Sequence, residues 1–228
     1  MLFLAVFCGF LAEYQLEHVI EKQKEKQAIA SLVKCLEDDS QQLKETIAWN
    51  NDCTKNLDSL TFLKNTDLTN EENKESFLKY GFKGFTVDSY FKSNEAGMIQ
   101  LKSSGLLRLI RKQNVIDSIF GYEARNKITV AQEADTYFVF KESLIDYKDI
   151  ADLSRTPDTS VTSSKSVYLP YHKTIHYPIS TDREKLKVVF NNAALLAMAS
   201  EFYIICMERQ LTYADKLSAL LKKEYDLE

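Results

Sequence analysis

The chain has 228 residues, of which 6 are glycine and 3 are proline. Residues that turn or break a chain are therefore scarce, which excludes an all-β sandwich or barrel with a turn about every 8–12 residues. The hydrophobic content of 45% excludes a disordered chain, and the formal net charge of −4 gives no basic surface of the kind that binds nucleic acid.

The N-terminal run MLFLAVFCGFLA carries no charged side chain. A helix of this length rises about 18 Å, less than the hydrocarbon core of a bilayer at about 30 Å, and the run lacks the basic start and cleavage site of a signal peptide. Three interpretations stay open. We expect residues 1–16 to be the C-terminal part of a transmembrane helix whose first half is encoded upstream of Met1. A helix in the membrane interface and a helix packed inside a soluble bundle are the alternatives.

A long helix is predicted to continue from Glu13, because the sequence turns polar there but has no glycine or proline before Gly81. Residues spaced by three, four and seven form one stripe, which allows a coiled coil but is better explained by packing against later helices of the same chain. The helix is expected to end between Leu63 and Asn70. The stripe consists of Ile29, Val33, Leu36, Ser40, Leu43, Ile47, Asn50, Thr54 and Leu57.

Short helices and bends are predicted to follow this first helix. One is expected to open at Asn70 or Glu71 and to be broken at Gly81 and Gly84. The sequence KSSG is typical of another helix end, with Gly105 in the left-handed conformation that glycine adopts most easily.

Two further long helices are predicted, one beginning at Asn114 and one near the C terminus. The segment LLAMASEFYIIC in the last helix contains Glu201 and is short for a membrane span, so a buried core helix is expected there. The apolar face of the second helix is predicted to hold Ile116, Phe120, Ala131, Ala134, Phe138 and Ile145. The buried face of the third is predicted to hold Leu195, Ala199, Phe202, Ile205, Met207, Leu211, Ala214, Leu217 and Leu221.

Together these elements predict an all-α protein. We expect an antiparallel helical bundle of about three long helices plus short helices, with the N-terminal helix extended as a membrane anchor or stalk. Residues 17–228 are expected to form a single helical domain.

The segment 154–181 differs in composition from the rest of the chain. It holds all 3 prolines, and 11 of its residues are serine or threonine. Long irregular segments in helical proteins often carry function, so this loop is the first candidate. A capping box at its end is expected to start the last helix, with Ser180 or Thr181 as the cap and Glu184 as its partner.

His172 and His176 in this loop stand between Pro170 and Pro178. Their spacing places both imidazoles on one face of a helix or strand, as a zinc site requires. Because no third ligand and no HExxH-type glutamate base accompany them, metal binding is a weak candidate and no cofactor is expected.

Aromatic and basic residues supply the other candidates for binding a ligand or partner. The aromatic residues Phe82, Phe85, Tyr90 and Phe91 are interpreted as packing onto the bundle rather than lining a pocket. The local basic cluster of Lys102, Arg108, Arg111 and Lys112 is interpreted mainly as a solvated helix end. The candidate binding residues are Tyr168, Tyr171, His172, His176, Tyr177, Arg108 and Arg111.

No catalytic residues are predicted, since the chain has no glycine-rich phosphate loop and no nucleophile elbow. The acidic run of Glu37, Asp38 and Asp39 is interpreted as a solvated helix face rather than an acid/base pair. Cys53 and Cys206 allow a disulfide in an oxidising compartment, but the sequence does not pair them.

The run AVFCGFLAEYQLEHVIEKQKEKQAIASLVKCLEDD resembles the start of a family of uncharacterised bacterial proteins of Bacteroidota type. In that family one N-terminal transmembrane helix continues directly into a charged helix. The stretch MIQLKSSGLLRLIRKQNVIDSI resembles the family's mid-chain pattern. The resemblance implies a single-pass protein of the bacterial inner membrane, and basic flanks upstream would place the helical domain in the periplasm. It implies no catalytic residues.

The expected function is therefore that of a membrane-anchored helical protein of the cell envelope that binds a partner or acts as a scaffold. Its expected partners are membrane lipid at the N-terminal segment and a protein or a second copy of the chain. A sensor-type or small-ligand-binding helical bundle is the alternative, and a metal-dependent hydrolase using His172 and His176 is the weakest hypothesis.

Overall fold

The computed structural model describes residues 2–86, 90–152 and 178–227. Helices account for 86% of these described residues and no strand occurs among them, so the all-α prediction is confirmed. The α-helices are α1 (Leu2–Phe62), α2 (Glu71–Gly84), α3 (Ala96–Ser103), α4 (Gln113–Ile150) and α5 (Arg183–Tyr225), with 3₁₀ turns at Leu63–Asn65 and Leu106–Leu109.

The chain divides into two compact units, each built from separate pieces of sequence. Unit 1 comprises Met1–Leu43, Lys92–Lys127 and Arg209–Glu228, and unit 2 comprises Lys44–Phe91 and Ile128–Glu208. The helices α1, α4 and α5 each contribute residues to both units.

In unit 1 the predicted stripe of α1 is buried. Ile29, Val33, Leu36 and Leu43 pack in the interior, and Ser40 donates a hydrogen bond to Asp215 at 2.8 Å. The ion pair between Lys222 and Glu37 at 2.9 Å and the Tyr225–Glu25 hydrogen bond at 2.5 Å continue the same contact toward the C-terminal end of α5. Because residue numbers fall on α5 as they rise on α1, these parts of the two helices run antiparallel.

In unit 2 the core is aromatic. The Phe77 ring lies with its centroid 5.9 Å from that of Tyr147 and 5.8 Å from that of Phe190.

The Asn70 side chain caps α2 by accepting hydrogen bonds from two backbone N–H groups, so the predicted start is confirmed.

Gly81 does not break α2, and that part of the prediction was wrong, whereas α2 does end at Gly84. Both glycines are buried. A Cβ atom on Gly84 would lie 2.8 Å from Cδ2 of Leu57, and one on Gly81 would overlap the Tyr147 ring. The two glycines therefore allow α2 to lie close to its neighbours. Gly105 does end α3 with a φ of 68°, as predicted.

Small hydroxyl side chains of α4 contact α5 in unit 2. The hydroxyls of Thr136 and Ser143 lie 3.3 and 3.5 Å from the carbonyl oxygens of Ala199 and Asn192, and Thr129 makes the same kind of contact one heptad earlier. Each step forward on α4 is a step backward on α5, so these segments are antiparallel. A hydroxyl group is small, and a backbone carbonyl can accept a hydrogen bond from it. Such side chains therefore permit close packing of the two helices.

The apolar face predicted for α4 was therefore wrong. Phe120, Phe138 and Ile145 are exposed, Phe138 by 66%. From Tyr122 to Tyr147 the buried side instead carries threonine, serine, asparagine and tyrosine, residues that a search for apolar periodicity passes over, and apolar side chains are buried only nearer the two ends of the helix.

The face predicted for α5 is correct only in part. Met207 and the later members Ala214, Leu217 and Leu221 are buried, whereas Leu195, Phe202 and Ile205 are exposed. In unit 2 the buried side of α5 instead consists of alanines together with Leu196, Tyr203 and Ile204. The predicted apolar residues in this part of α5 therefore form an exposed stripe.

Gly121 in α4 is expected to tolerate a larger side chain. A Cβ there would lie 3.6 Å from the ring of Tyr213, an ordinary contact, and alanine restricts the unfolded chain more than glycine does. We expect Gly121→Ala to raise the free energy of unfolding by about 0.5–1 kcal/mol, measured by urea titration. Gly105→Ala is the control with the opposite sign, because its positive φ strains an alanine; a Gly121→Ala variant that is equally destabilised contradicts the prediction.

The two segments of chain that flank residues 153–177 lie side by side. The backbone N–H of Asp152 donates to the carbonyl of Pro178 at 3.0 Å, and that of Ser180 donates to Ile150 at 2.9 Å. The helix that follows is capped by Asp182, whose side chain accepts from the N–H of Glu184 at 2.9 Å. The predicted cap at Ser180 or Thr181 thus lies one to two residues too early.

Candidate functional site

Most of the sequence-predicted site residues lie outside the described residues. These are Tyr168, Tyr171, His172, His176 and Tyr177. Within the part of the chain that the structure describes, no group of three histidine, cysteine, aspartate or glutamate side chains is placed to hold a metal ion.

Arg108 and Arg111 are described and both are exposed. Arg108 lies in the 3₁₀ turn after α3, and Arg111 lies just before α4. The other two cations of the predicted basic cluster are neutralised, since Lys102 pairs with Glu123 and Lys112 with Glu224, both at 2.6 Å. The cluster is therefore weaker as an anion-binding surface than its sequence suggests.

The aromatic residues near α2 belong mainly to the core. Phe82, Phe85 and Phe91 are buried, and Tyr90 packs edge-on against Tyr137 with ring centroids 5.7 Å apart. These contacts agree with the packing interpretation.

Cys53 and Cys206 are free thiols and both are buried in unit 2. The Cys53 thiol donates a hydrogen bond to the carbonyl of Thr86 at 3.1 Å. Burial, followed by the charge of Asp52, raises the pKa of Cys53 to about 12, which keeps it a thiol.

A buried polar cluster in unit 1 is centred on Asp39, which is only 2% exposed. One carboxylate oxygen accepts from the hydroxyls of Ser93, at 2.7 Å, and of Tyr122. The other accepts from the backbone N–H of Asn94 at 2.6 Å. Three segments of the chain thus meet at one carboxyl group.

The Tyr122 hydroxyl is held as a donor in this cluster. Burial raises the pKa of Tyr122 far above its ordinary value, and the charge of Asp39 raises it further. Tyr122 therefore stays protonated at physiological pH and donates its hydrogen bond to Asp39.

A cavity of about 100 Å³ opens beside Asp39. Its lining combines apolar side chains with polar and charged ones. The ion pair of Lys102 and Glu123 also lines it, and the Lys102 ammonium holds the pKa of Glu123 below its usual range. The lining comprises Leu32, Cys35, Leu36, Asp39, Ser93, Asn94, Glu95, Met98, Ile99, Lys102, Tyr122, Glu123 and Asn126.

Two buried amides near the cluster have unsatisfied polar atoms. Asn126 lines the cavity, is 8% exposed, and its side-chain oxygen has no hydrogen-bond partner among the described residues. Gln210 lies beside Tyr122, is fully buried, and its side chain makes no hydrogen bond of standard geometry to the part of the chain that the structure describes. Since buried polar atoms are almost always paired in folded proteins, the Asn126 oxygen is a position in the cavity that can accept a hydrogen bond.

Sequence reasoning missed this cluster because Asp39 belongs to the acidic run assigned to solvent. The signal was present, since Asp39 follows Leu32 and Leu36 and precedes Leu43 at spacings of seven, three and four. A carboxylate on a buried helix face needs partners from other segments, and these do not appear in a local pattern.

Two surfaces outside the cluster bear on function. Large apolar side chains near the start of α1 are exposed, and so are those of the α5 stripe defined by Leu195, Met198, Phe202 and Ile205. Among the described residues, α5 is also the one helix long and apolar enough to cross a membrane, with a stretch of mean hydropathy 1.5 that is 44% buried. Core helices of soluble proteins pass the same test.

Comparison of the chain with models of protein families, with curated protein sequences and with solved structures finds no match.

Proposed function

We propose that this chain is a membrane-anchored helical protein of the bacterial cell envelope that binds a partner or acts as a scaffold. The observation that carries the proposal is the uncovered start of α1. Phe7, Phe10 and Leu11 are 52%, 68% and 48% exposed, and Ala28 is the first buried residue among those whose side chains are described.

This uncovered stretch has the chemistry of a lipid-contacting helix. From Phe7 to Lys24 it rises about 27 Å and no side chain described there is buried, and its apolar residues are concentrated toward the N terminus. Leaving several large apolar side chains in water costs about 1.5–3 kcal/mol each, which contact with a bilayer would recover. The charged helix that follows is suited to the aqueous side of the interface.

The topology belongs to the same proposal. The resemblance of the N-terminal run to uncharacterised single-span bacterial proteins supports an inner-membrane location, with the helical part in the periplasm. An antiparallel bundle of α1, α4 and α5 as a stalk-borne domain is consistent with the antiparallel contacts within each unit.

The partner-binding role is supported by the α5 stripe. Leu195, Met198, Phe202 and Ile205 are all exposed, and they follow one another at spacings of three or four on one side of the helix. Contiguous apolar surface of this kind is uncommon on a monomeric protein and marks interaction sites.

Membrane fractionation with two matched triple variants tests the proposal. We expect the wild-type chain to sediment with membranes, and Phe7→Asp/Phe10→Asp/Leu11→Asp to shift it to the soluble fraction. Each aspartate costs about 2.5–3.5 kcal/mol in the bilayer centre. The matched variant Leu195→Asp/Met198→Asp/Phe202→Asp is expected to stay with the membrane.

Two results would overturn the proposal. Wild-type protein that is soluble without detergent excludes an anchor in this chain. Release by the α5 substitutions but not by the N-terminal ones assigns the lipid contact to α5 instead.

The alternative function, a small-ligand-binding helical bundle, is favoured by the cavity beside Asp39. Its lining contains a buried carboxylate and, among the described residues, an unpaired amide oxygen. Ligand binding and membrane attachment are compatible, because they use different parts of the chain.

A further inference from the structure

We infer that the cavity beside Asp39 binds a small primary ammonium ion, an amine carrying a short alkyl chain. The inference does not depend on membrane attachment, since every residue lining the cavity belongs to unit 1 and lies beyond residue 31.

The negative charge of the cavity lining favours a positively charged ligand. The lining contains three carboxyl groups, those of Asp39, Glu95 and Glu123, and one ammonium group, that of Lys102. Because Lys102 is already paired with Glu123 at 2.6 Å, Asp39 has no cation of its own among the residues that line the cavity. A buried carboxylate without a positive partner attracts one from solution.

The cavity lining offers hydrogen-bond acceptors, which favours a ligand that donates hydrogen bonds. Among the described residues, the carboxylate oxygen of Asp39 that accepts from Asn94 makes no second hydrogen bond, and the side-chain oxygen of Asn126 makes none. A carboxylate has about four acceptor positions, so both groups still accept N–H donors. A primary ammonium group, which has three N–H bonds and no acceptor, matches them.

The apolar part of the lining and the volume limit the rest of the ligand. Leu32, Leu36 and Met98 also line the cavity, and beside them a hydrated inorganic cation would lose water without compensation. A cavity of about 100 Å³ is smaller than one of roughly 150 Å³ that holds benzene, so it admits about four or five non-hydrogen atoms. A chain of about three or four carbons on the nitrogen fills it.

Access from solvent is provided at the rim. Ile99 lines the cavity and is 57% exposed, and Glu95 beside it is exposed as well. The ligand therefore enters past an apolar side chain and a carboxylate, without opening the core.

Isothermal titration of the full-length protein with n-propylammonium chloride tests the inference. We expect a dissociation constant between about 0.1 and 10 mM, the range open to so small a ligand. 1-Propanol matches the size without the charge, and potassium chloride matches the charge without the alkyl chain. Neither is expected to bind measurably.

Two variants locate the site. Asn126→Leu removes the unpaired oxygen while keeping the side-chain size, and we expect it to weaken binding of n-propylammonium at least about tenfold with no loss of fold by circular dichroism. Ile99→Lys adds an ammonium at the exposed rim, and a similar loss is expected from charge repulsion. The matched controls, Asn114→Leu and Ile128→Lys, make the same changes at exposed positions outside the cavity and are expected to bind as wild type does.

The inference is overturned if n-propylammonium gives no binding to the wild-type chain, or if 1-propanol or potassium chloride binds as well as it does. It is also overturned if both Asn126→Leu and Ile99→Lys bind like their controls. Each of these results leaves the membrane proposal untouched.

Discussion

Replacing Asp39 by alanine is expected to lower the free energy of unfolding by about 3–5 kcal/mol, the range for breaking a buried charged hydrogen-bond network. The carboxylate accepts three hydrogen bonds, from Ser93, Asn94 and Tyr122, and it is almost fully buried. Without it these three donors have no acceptor in the same place. Urea unfolding followed by circular dichroism measures the change.

The adjacent Asp38 supplies the matched control. It makes one exposed hydrogen bond, from the side chain of Asn94 at 3.1 Å. Exposed interactions of this kind contribute less than about 1 kcal/mol, so Asp38→Ala is expected to stay close to wild type. If the two alanine variants differ by less than 1 kcal/mol, about the size of one ordinary hydrogen bond, Asp39 does not organise unit 1 in the way described.

Replacing Gly97 by alanine is expected to destabilise the protein by about 1–3 kcal/mol or more, the usual cost of overfilling a packed contact. A Cβ at this position would lie 2.8 Å from the Cα atom of Leu32 and 3.1 Å from its backbone nitrogen. Since backbone atoms of a long helix do not rotate away, α3 has to move from α1. A thermal melt or urea titration of the variant gives the effect directly.

Gly121→Ala is the control for the effect of exchanging glycine for alanine in a helix, because the added methyl group fits there without displacing a neighbour. Opposite signs for Gly97→Ala and Gly121→Ala separate close packing from the intrinsic preference of a helix for alanine. A Gly97→Ala protein as stable as wild type would mean that α3 does not pack on α1 at this distance.

The fold class followed from the sequence because it depends on local features. Long stretches free of glycine and proline gave the long helices, and the stripe through Ile29, Leu36 and Leu43 identified the buried side of α1 correctly. Asn70 as a helix cap is equally local, since its side chain bonds to N–H groups two and three residues ahead.

Features that depend on distant segments were missed. The buried side of α4 is marked by Thr136 and Ser143, whose role is visible only once the carbonyls of α5 lie opposite. Gly81 was interpreted as a break because the Tyr147 ring against it comes from far along the chain. The cavity beside Asp39 was missed for the same reason, since the hydrogen-bond partners of Asp39 are residues 93, 94 and 122.

The way the two units share the chain has a consequence for how the protein is made. Unit 1 takes its first piece from Met1–Leu43 and its last from Arg209–Glu228. During synthesis, Leu32 and Leu36 therefore emerge long before Leu217 and Leu221, which belong to the same core cluster. Unit 1 therefore completes its core only once the C-terminal part of α5 has been synthesised, well after α1 has left the ribosome.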